Sequence, residues 1–164
     1  MQKTEQTSWA GYFYKQNPWA KKVAGLWERT PLFQQIPKSE IVRLATMMHE
    51  RHYQPEESIF NANDLGAGAA LIISGQVEIC TNGVTLAILG PGDFFGEISL
   101  VLDERRTADV VAVVESELAF FLRLDLDEWT TRVPQHAVTL TKNLARSLAK
   151  RLQHANKLVG DRIL

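Results

Sequence analysis

From Tyr53 to Leu124 the chain is written in short apolar or alternating runs, each closed by Gly, Asn or Asp, and this rhythm constrains its fold more than any other feature. Runs so brief cannot build a stable helix, but they fit narrow antiparallel strands that bury one or two faces. They cover Ser58 to Phe60, Ala70 to Ile73, Gln76 to Cys80, Thr85 to Leu89, Asp109 to Val114 and Ala119 to Leu124. About eight strands at this regular spacing predict a closed roll, an eight-stranded double-stranded β-helix of the jelly-roll kind. Phe94 to Leu102 breaks the rhythm after Gly90-Pro91-Gly92-Asp93 and reads as a short helical insert. A barrel seldom needs a helix there, so a special purpose is indicated.

Both flanks have helical periodicity, which makes the expected class mainly β with N-terminal helices and a C-terminal hinge plus long helix. Asn17 before Pro18 is a helix-start signal, and Trp19, Val23, Leu26 and Trp27 recur at helical spacing, which predicts a helix over Pro18 to Arg29. Ser39 caps a second helix whose buried face is Ile41, Val42, Leu44, Ala45 and Met48 and which ends near His49. Beyond Leu124, Asp125 or Asp127 caps a short helix through Arg132. Pro134 then opens a longer one with Val138, Thr141, Ala145, Leu148, Leu152, Ala155 and Val159 three and four apart. Such a stripe lies on the roll or, as the favoured expectation, pairs two copies into a homodimer. The aromatic segment Trp9, Tyr12, Phe13, Tyr14 and Trp19 needs cover from the roll or from a dimer mate. The natural divisions are 1–29, 30–124 and 125–164.

Composition narrows the partners. With 164 residues and a net charge of -1, one domain is expected, and bulk charge favours neither nucleic acid nor an anionic membrane. The single cysteine, Cys80, reads as a small buried hydrophobe; with no disulfide partner and no leader-like N-terminus, the expected compartment is the cytoplasm. His49 and His52 lack metal-ligand spacing and are expected on the surface. Cys80 has no sequence partner to activate it, and an enzyme is not the expected class. Nothing after the long helix reads as a DNA-binding element.

One stretch carries ligand chemistry. A glycine turn leading into the first turn of a helix presents free N–H groups where an anion is welcome, an arginine alongside adds two-pronged phosphate recognition, and a carboxylate beside them suits a sugar hydroxyl. Gly90 to Leu100 followed by Arg105-Arg106-Thr107-Ala108-Asp109-Val110 has these parts in order, and it resembles the phosphate-binding cassette of the cyclic-nucleotide-binding domain family. Pro31-Leu32-Phe33, Ile59 to Asp64 and Leu71 to Val77 resemble other segments of that family, whose β-roll is the fold implied. Leu148 to Gln153 resembles the dimer helix of the catabolite-activator group.

The resemblance implies a ligand, cAMP or cGMP, held by Phe95, Gly96, Glu97, Ile98, Ser99, Arg106, Thr107 and Ala108. Glu97 would accept from the ribose 2′-hydroxyl and Arg106 would pair with the cyclic phosphate. The N–H groups of Ile98, Ser99 and Leu100 would line that phosphate, and Leu100 would touch the hinge helix. Asp109 would face solvent or Arg105. Arg105 stands where the commonest cassette has proline, and the Arg-Thr-Ala run is shared with hyperpolarisation-activated channels, which favours cAMP; a threonine at this place also occurs in cGMP-dependent kinases. The implied mechanism is a terminal helix that closes over the base, with Arg151 or Asn156 as its lid residue, and a hinge between Leu124 and Pro134. Its output would act on an unidentified effector protein. The competing expectation is a roll that has lost its ligand and serves as a dimerisation or docking module.

Overall fold

The computed structural model describes residues 17–160, with side chains through Lys157. The aromatic positions Trp9, Tyr12, Phe13 and Tyr14 lie outside the described residues. Helix α1 (Pro18–Trp27) opens as its sequence predicts: the Asn17 side chain accepts a bond from the Ala20 N–H at 3.0 Å, and proline fills the first turn, where its missing N–H costs nothing. A 3-10 turn (Pro31–Phe33) and helix α2 (Lys38–Ala45) follow. Ser39 is not the cap of α2, which begins a residue earlier, after Pro37, and has no side-chain bond closing its end.

α2 also stops at Ala45, well short of His49, because His49–Tyr53 is the first strand, β1. Four of its five side chains are exposed, so no apolar alternation marks it in the sequence; its ladder with the last strand holds it in place. The others are β2 (Ser58–Phe60), β3 (Gly68–Ser74), β4 (Val77–Thr81), β5 (Val84–Leu89), β6 (Phe94–Phe95), β7 (Asp109–Ala112) and β8 (Ser116–Leu122). They form two four-stranded antiparallel sheets in the orders β1-β8-β3-β6 and β2-β7-β4-β5. This is the predicted eight-stranded roll. Phe94 and Phe95 belong to a strand, and the insert is a 3-10 turn over Glu97–Leu100 only.

The first sheet is the middle of three layers. Ala69, Leu71 and Ile73 of β3 and Ala119 and Phe121 of β8 face the helices, where they share a core with Trp27, Phe33, Leu44 and Trp129. Ala70, Ile72 and Leu118 point the other way, into the roll, against Val77, Phe95 and Val110. A strand buried on both faces reads as an unbroken apolar run, which is why Ala70 to Ile73 shows no alternation. Trp27 is fully buried and stacks on Phe33 with ring centroids 4.2 Å apart, and it meets Phe121 edge-on at 5.6 Å.

Helices α3 (Arg123–Arg132) and α4 (Pro134–Gly160) complete the chain. Asp125 closes the start of α3 from its third position, accepting the Leu122 N–H at 3.2 Å. α4 has two apolar stripes. Leu140 and Leu144 lie in the helix-side core, and buried Asn143 donates to the carbonyls of Leu32 at 3.0 Å and Gln34 at 2.8 Å. Of the stripe read from the sequence, only Leu148 packs against that core; Val138, Thr141, Ala145, Leu152 and Ala155 are exposed, and the Val159 side chain lies outside the described residues. Cys80 is half-buried rather than buried. Truncation of Trp27 to alanine is expected to lower the unfolding free energy by about 3–5 kcal/mol in urea titrations; a loss below about 1 kcal/mol would mean that the helix layer unfolds apart from the roll.

Candidate functional site

The two halves of the cassette are held by separate supports. The Gly92 N–H donates to the Ile72 carbonyl at 2.8 Å and the Ile72 N–H to the Asp93 carbonyl at 3.0 Å, which ties the glycine turn to β3; β6 then pairs Phe95 with Ala70. Gly96 reverses the chain with φ of 76°. A Cβ there would stand 2.9 Å from Arg106 Nη1 and 3.2 Å from the Phe60 ring, so both the backbone angle and the space call for glycine. The other half is held by the turn over residues 61–64. Its Asn63 N–H donates to the Arg106 carbonyl at 2.9 Å, and its Asp64 carbonyl accepts the Arg106 N–H at 2.8 Å. Asp109 is half-buried and lines a surface hollow with Arg105; its carboxylate accepts the Ala62 N–H at 2.7 Å and braces that turn, while Arg105 donates to the Asn63 carbonyl at 2.6 Å.

Arg106 therefore projects from a fixed main chain, and its guanidinium finds only neutral partners. Nη1 donates to Ser99 Oγ at 2.9 Å, Nη2 donates to the Gly68 carbonyl at 2.8 Å, and Cζ lies 3.6 Å from the centroid of the Phe60 ring. No carboxylate pairs with it among the described residues. Burial pulls its pKa below the ordinary guanidinium value, and the nearby Asp64 pushes it back up. Arginine keeps its proton throughout the physiological range, so the wall of the cavity carries a fixed, partly desolvated positive charge.

That cavity holds about 160 Å³, and Phe95, Gly96, Glu97, Ile98, Ser99, Arg106, Thr107, Ala108 and Arg151 all line it. Asn156 does not; it lies on another surface with Lys150, Gln153 and His154. Glu97 is buried, with 5% of its side chain exposed, and it pairs with Arg151 of α4 rather than with Arg106. A second Arg151 nitrogen reaches the Phe94 carbonyl at 3.4 Å. The Ser99 N–H donates to the Gly96 carbonyl at 3.1 Å, so it is engaged within the turn. The N–H groups of Glu97 and Ile98, at the start of that turn, have no acceptor inside it.

Sequence reasoning missed part of the site. Phe60, Ile79 and Val110 line the cavity from β2, β4 and β7, and only a register of facing strands could have grouped them. Arg123 was also missed. From the first turn of α3 it donates to the Leu102 carbonyl at 3.0 Å and pairs with Asp103 at 2.7 Å, which ties the end of the cassette to the hinge helix. Leu100 is buried in the same cluster as Trp129 of that helix. His49 faces Asp125 at 3.4 Å and His52 faces Glu50 at 3.3 Å, and no group of three metal-capable side chains occurs among the described residues. No helix among them is long and apolar enough to cross a membrane.

The chain has relatives among known proteins. The family described as cyclic nucleotide-binding domain matches residues 50–132. The "Cyclic AMP receptor protein" of Thermus thermophilus is 35% identical over 132 residues, covering 77% of this chain and 59% of that protein. The "CRP-like cAMP-activated global transcriptional regulator" of Mycobacterium tuberculosis is 28% identical over 140 residues, covering 82% of this chain and 61% of the relative. The chain thus spans about three fifths of the length of these relatives. Among solved structures, the Thermus thermophilus catabolite activator protein superposes with a TM-score of 0.72 at 34% identity, covering 80% of this chain and 62% of that one. A glycine turn, a buried glutamate and a fixed arginine around one cavity, on a roll of this topology and with these relatives, place the chain in the cyclic nucleotide-binding domain family.

Proposed function

We propose that this chain is a regulatory domain that binds a cyclic nucleotide, cAMP in preference to cGMP, and signals by a shift of α4. The observation that carries the reading is Arg106, a half-buried cation bonded, among the described residues, only to neutral groups in a cavity that also contains a buried carboxylate. A monoanionic ligand with a hydroxyl nearby satisfies both, because phosphate gives the guanidinium its missing counter-charge and the hydroxyl gives Glu97 a donor. The cyclic phosphate takes Arg106 and the N–H groups of Glu97 and Ile98. The base lies against Ile79 and Val110, beside Thr107. The preference for cAMP is supported by the two relatives, a cyclic AMP receptor protein and a cAMP-activated regulator. No bond of the nucleotide is made or broken in this scheme, so the domain is a sensor and not a catalyst.

The signal leaves through the helices. Arg123 and Leu100 join the cassette to α3, so a movement of the 3-10 turn is passed to α3 and on to α4. The exposed stripe of Val138, Thr141, Ala145, Leu152 and Ala155 supports pairing with a second copy, and an effector protein then reads the relative position of the two helices. A second reading, a docking module without ligand, is favoured by Val84, Leu86 and Ile88 of edge strand β5, each more than 60% exposed on one face.

Calorimetric titration with cAMP separates the readings. Binding is expected for the wild type, and Arg106→Ala is expected to lose about 2–4 kcal/mol of it, roughly 30- to 1000-fold in Kd. Equal affinity in the variant would refute the phosphate assignment, and no binding of either cyclic nucleotide to the wild type would favour the docking module. Sedimentation equilibrium of the wild type should give a dimer that Leu152→Glu converts to monomer; a wild-type monomer at micromolar concentration would remove the helix-pairing proposal.

A further inference from the structure

Arg105 is an exposed arginine whose one hydrogen bond among the described residues goes to a main-chain carbonyl, that of Asn63. Glu104 stands next to it in the chain and Asp109 lines the same surface hollow, yet its guanidinium is turned to the carbonyl. Asn63 has a φ of 71°, in the left-handed region that a residue with a side chain seldom adopts, so its peptide units depend on what surrounds them. Consecutive arginines supply that support. The Asn63 N–H donates to the Arg106 carbonyl, and the Asn63 carbonyl accepts from the Arg105 side chain. The other end of this second peptide, the Asp64 N–H, donates to the Asn61 carbonyl at 3.1 Å. Further along, the Asp64 carbonyl accepts the Arg106 N–H, and the Gly66 N–H donates to the Glu104 carbonyl at 3.2 Å. Residues 63–66 are thus zipped to residues 104–106 by main-chain bonds and by a single side-chain bond, the one from Arg105.

We infer that Arg105 is a positioning residue for Arg106: its side chain fixes the peptide between Asn63 and Asp64, and that peptide sets the main chain from which the phosphate-binding guanidinium projects. The inference rests on the cyclic-nucleotide reading of the cassette. Without Arg105 the Asn63 carbonyl has no donor among the described residues, and rotation of this peptide toward water displaces the Asp64 carbonyl that holds the Arg106 N–H. Arg106 reaches Ser99 and Gly68 from that anchored main chain, and a shift of about 1 Å misaligns the N–H groups it has left for a ligand. A site whose parts are in place before the ligand arrives keeps the affinity that ordering them would otherwise consume. The competing role is electrostatic, since Arg105 also lines the cavity and its charge draws an anion inward. Salt tells the two apart: a clamp acts at any ionic strength, whereas a steering charge is screened.

Calorimetric titration with cAMP at about 50 mM and about 500 mM sodium chloride gives the first reading. Arg105→Ala is expected to bind about fivefold more weakly than the wild type at both concentrations, and Arg105→Lys, which keeps a donor of similar reach, should stay within about twofold of it. Hydrogen exchange of the ligand-free proteins gives the second. The amides of Asn63, Asp64 and Arg106 should exchange about tenfold faster in Arg105→Ala, while those of Ile72 and Gly92, in the other half of the cassette, should not change. Because the side chain is exposed, the melting curves are expected to coincide. Equal affinity of Arg105→Ala and the wild type, or faster exchange spread over both halves, overturns the inference, and a loss of affinity that vanishes at the higher salt replaces it with the steering role. Should the wild type bind no cAMP, the cassette reading fails, and the exchange comparison, made without ligand, still decides whether Arg105 holds the turn.

Discussion

A guanidinium held in a partly desolvated wall and bonded, among the described residues, to neutral groups is the feature from which the rest of this molecule follows. Arg106 is bonded to a serine hydroxyl and a carbonyl and rests on an aromatic face, partners that orient a cation without neutralising it. To keep it there the fold supplies several independent supports. Gly96 takes a left-handed angle that leaves room beside Nη1; the turn over residues 61–64 grips the arginine's main chain from both sides; Asp109 is spent on bracing that turn. Each of these would be wasted on an arginine that merely completed a surface ion pair.

The same geometry explains how a small ligand can be felt by a long helix. The sheet β1-β8-β3-β6 is shared, with one face lining the roll and the other carrying the helices, and the cassette reaches both sides, with Phe95 in the roll and Leu100 in the helix-side core. Arg123 and Leu100 join the 3-10 turn to α3, and Arg151 joins Glu97 to α4. Packed layers do not deform gradually, and a change at these few contacts is resolved as one arrangement or another.

Much of this was legible in the residues, for reasons that can be stated one by one. The cassette is nearly contiguous, running from Gly90 to Asp109, so local order alone brings Glu97 and Arg106 to one place. Strands with an inner face announced themselves through apolar runs, whereas β1 did not, since its charged side chains point outward and its position comes from pairing with β8. The long helix shows the limit of periodicity. Leu140 and Leu144 form one stripe, Val138, Thr141, Ala145 and Leu152 another, and nothing in the spacing says which of them meets the roll. The same ambiguity left Arg151 and Asn156 as equal candidates, and only the placement of α4 against the 3-10 turn at Pro31–Phe33 separates them. Phe60, Ile79 and Val110 were out of reach for another reason: they come from three strands whose registry is a property of the whole roll.

The central claim is that one cavity, walled by Arg106 and the turn at Gly96, receives a cyclic phosphodiester. Its most direct test is an amide and guanidinium nitrogen–proton correlation spectrum recorded as cAMP is added to the labelled chain. The largest shifts are expected on the amides of Gly96 to Leu100 and Arg106 to Ala108, together with a slowly exchanging Arg106 Nε–H signal that linear AMP does not produce. Shifts confined to other surfaces, or the same response to linear AMP, would contradict it.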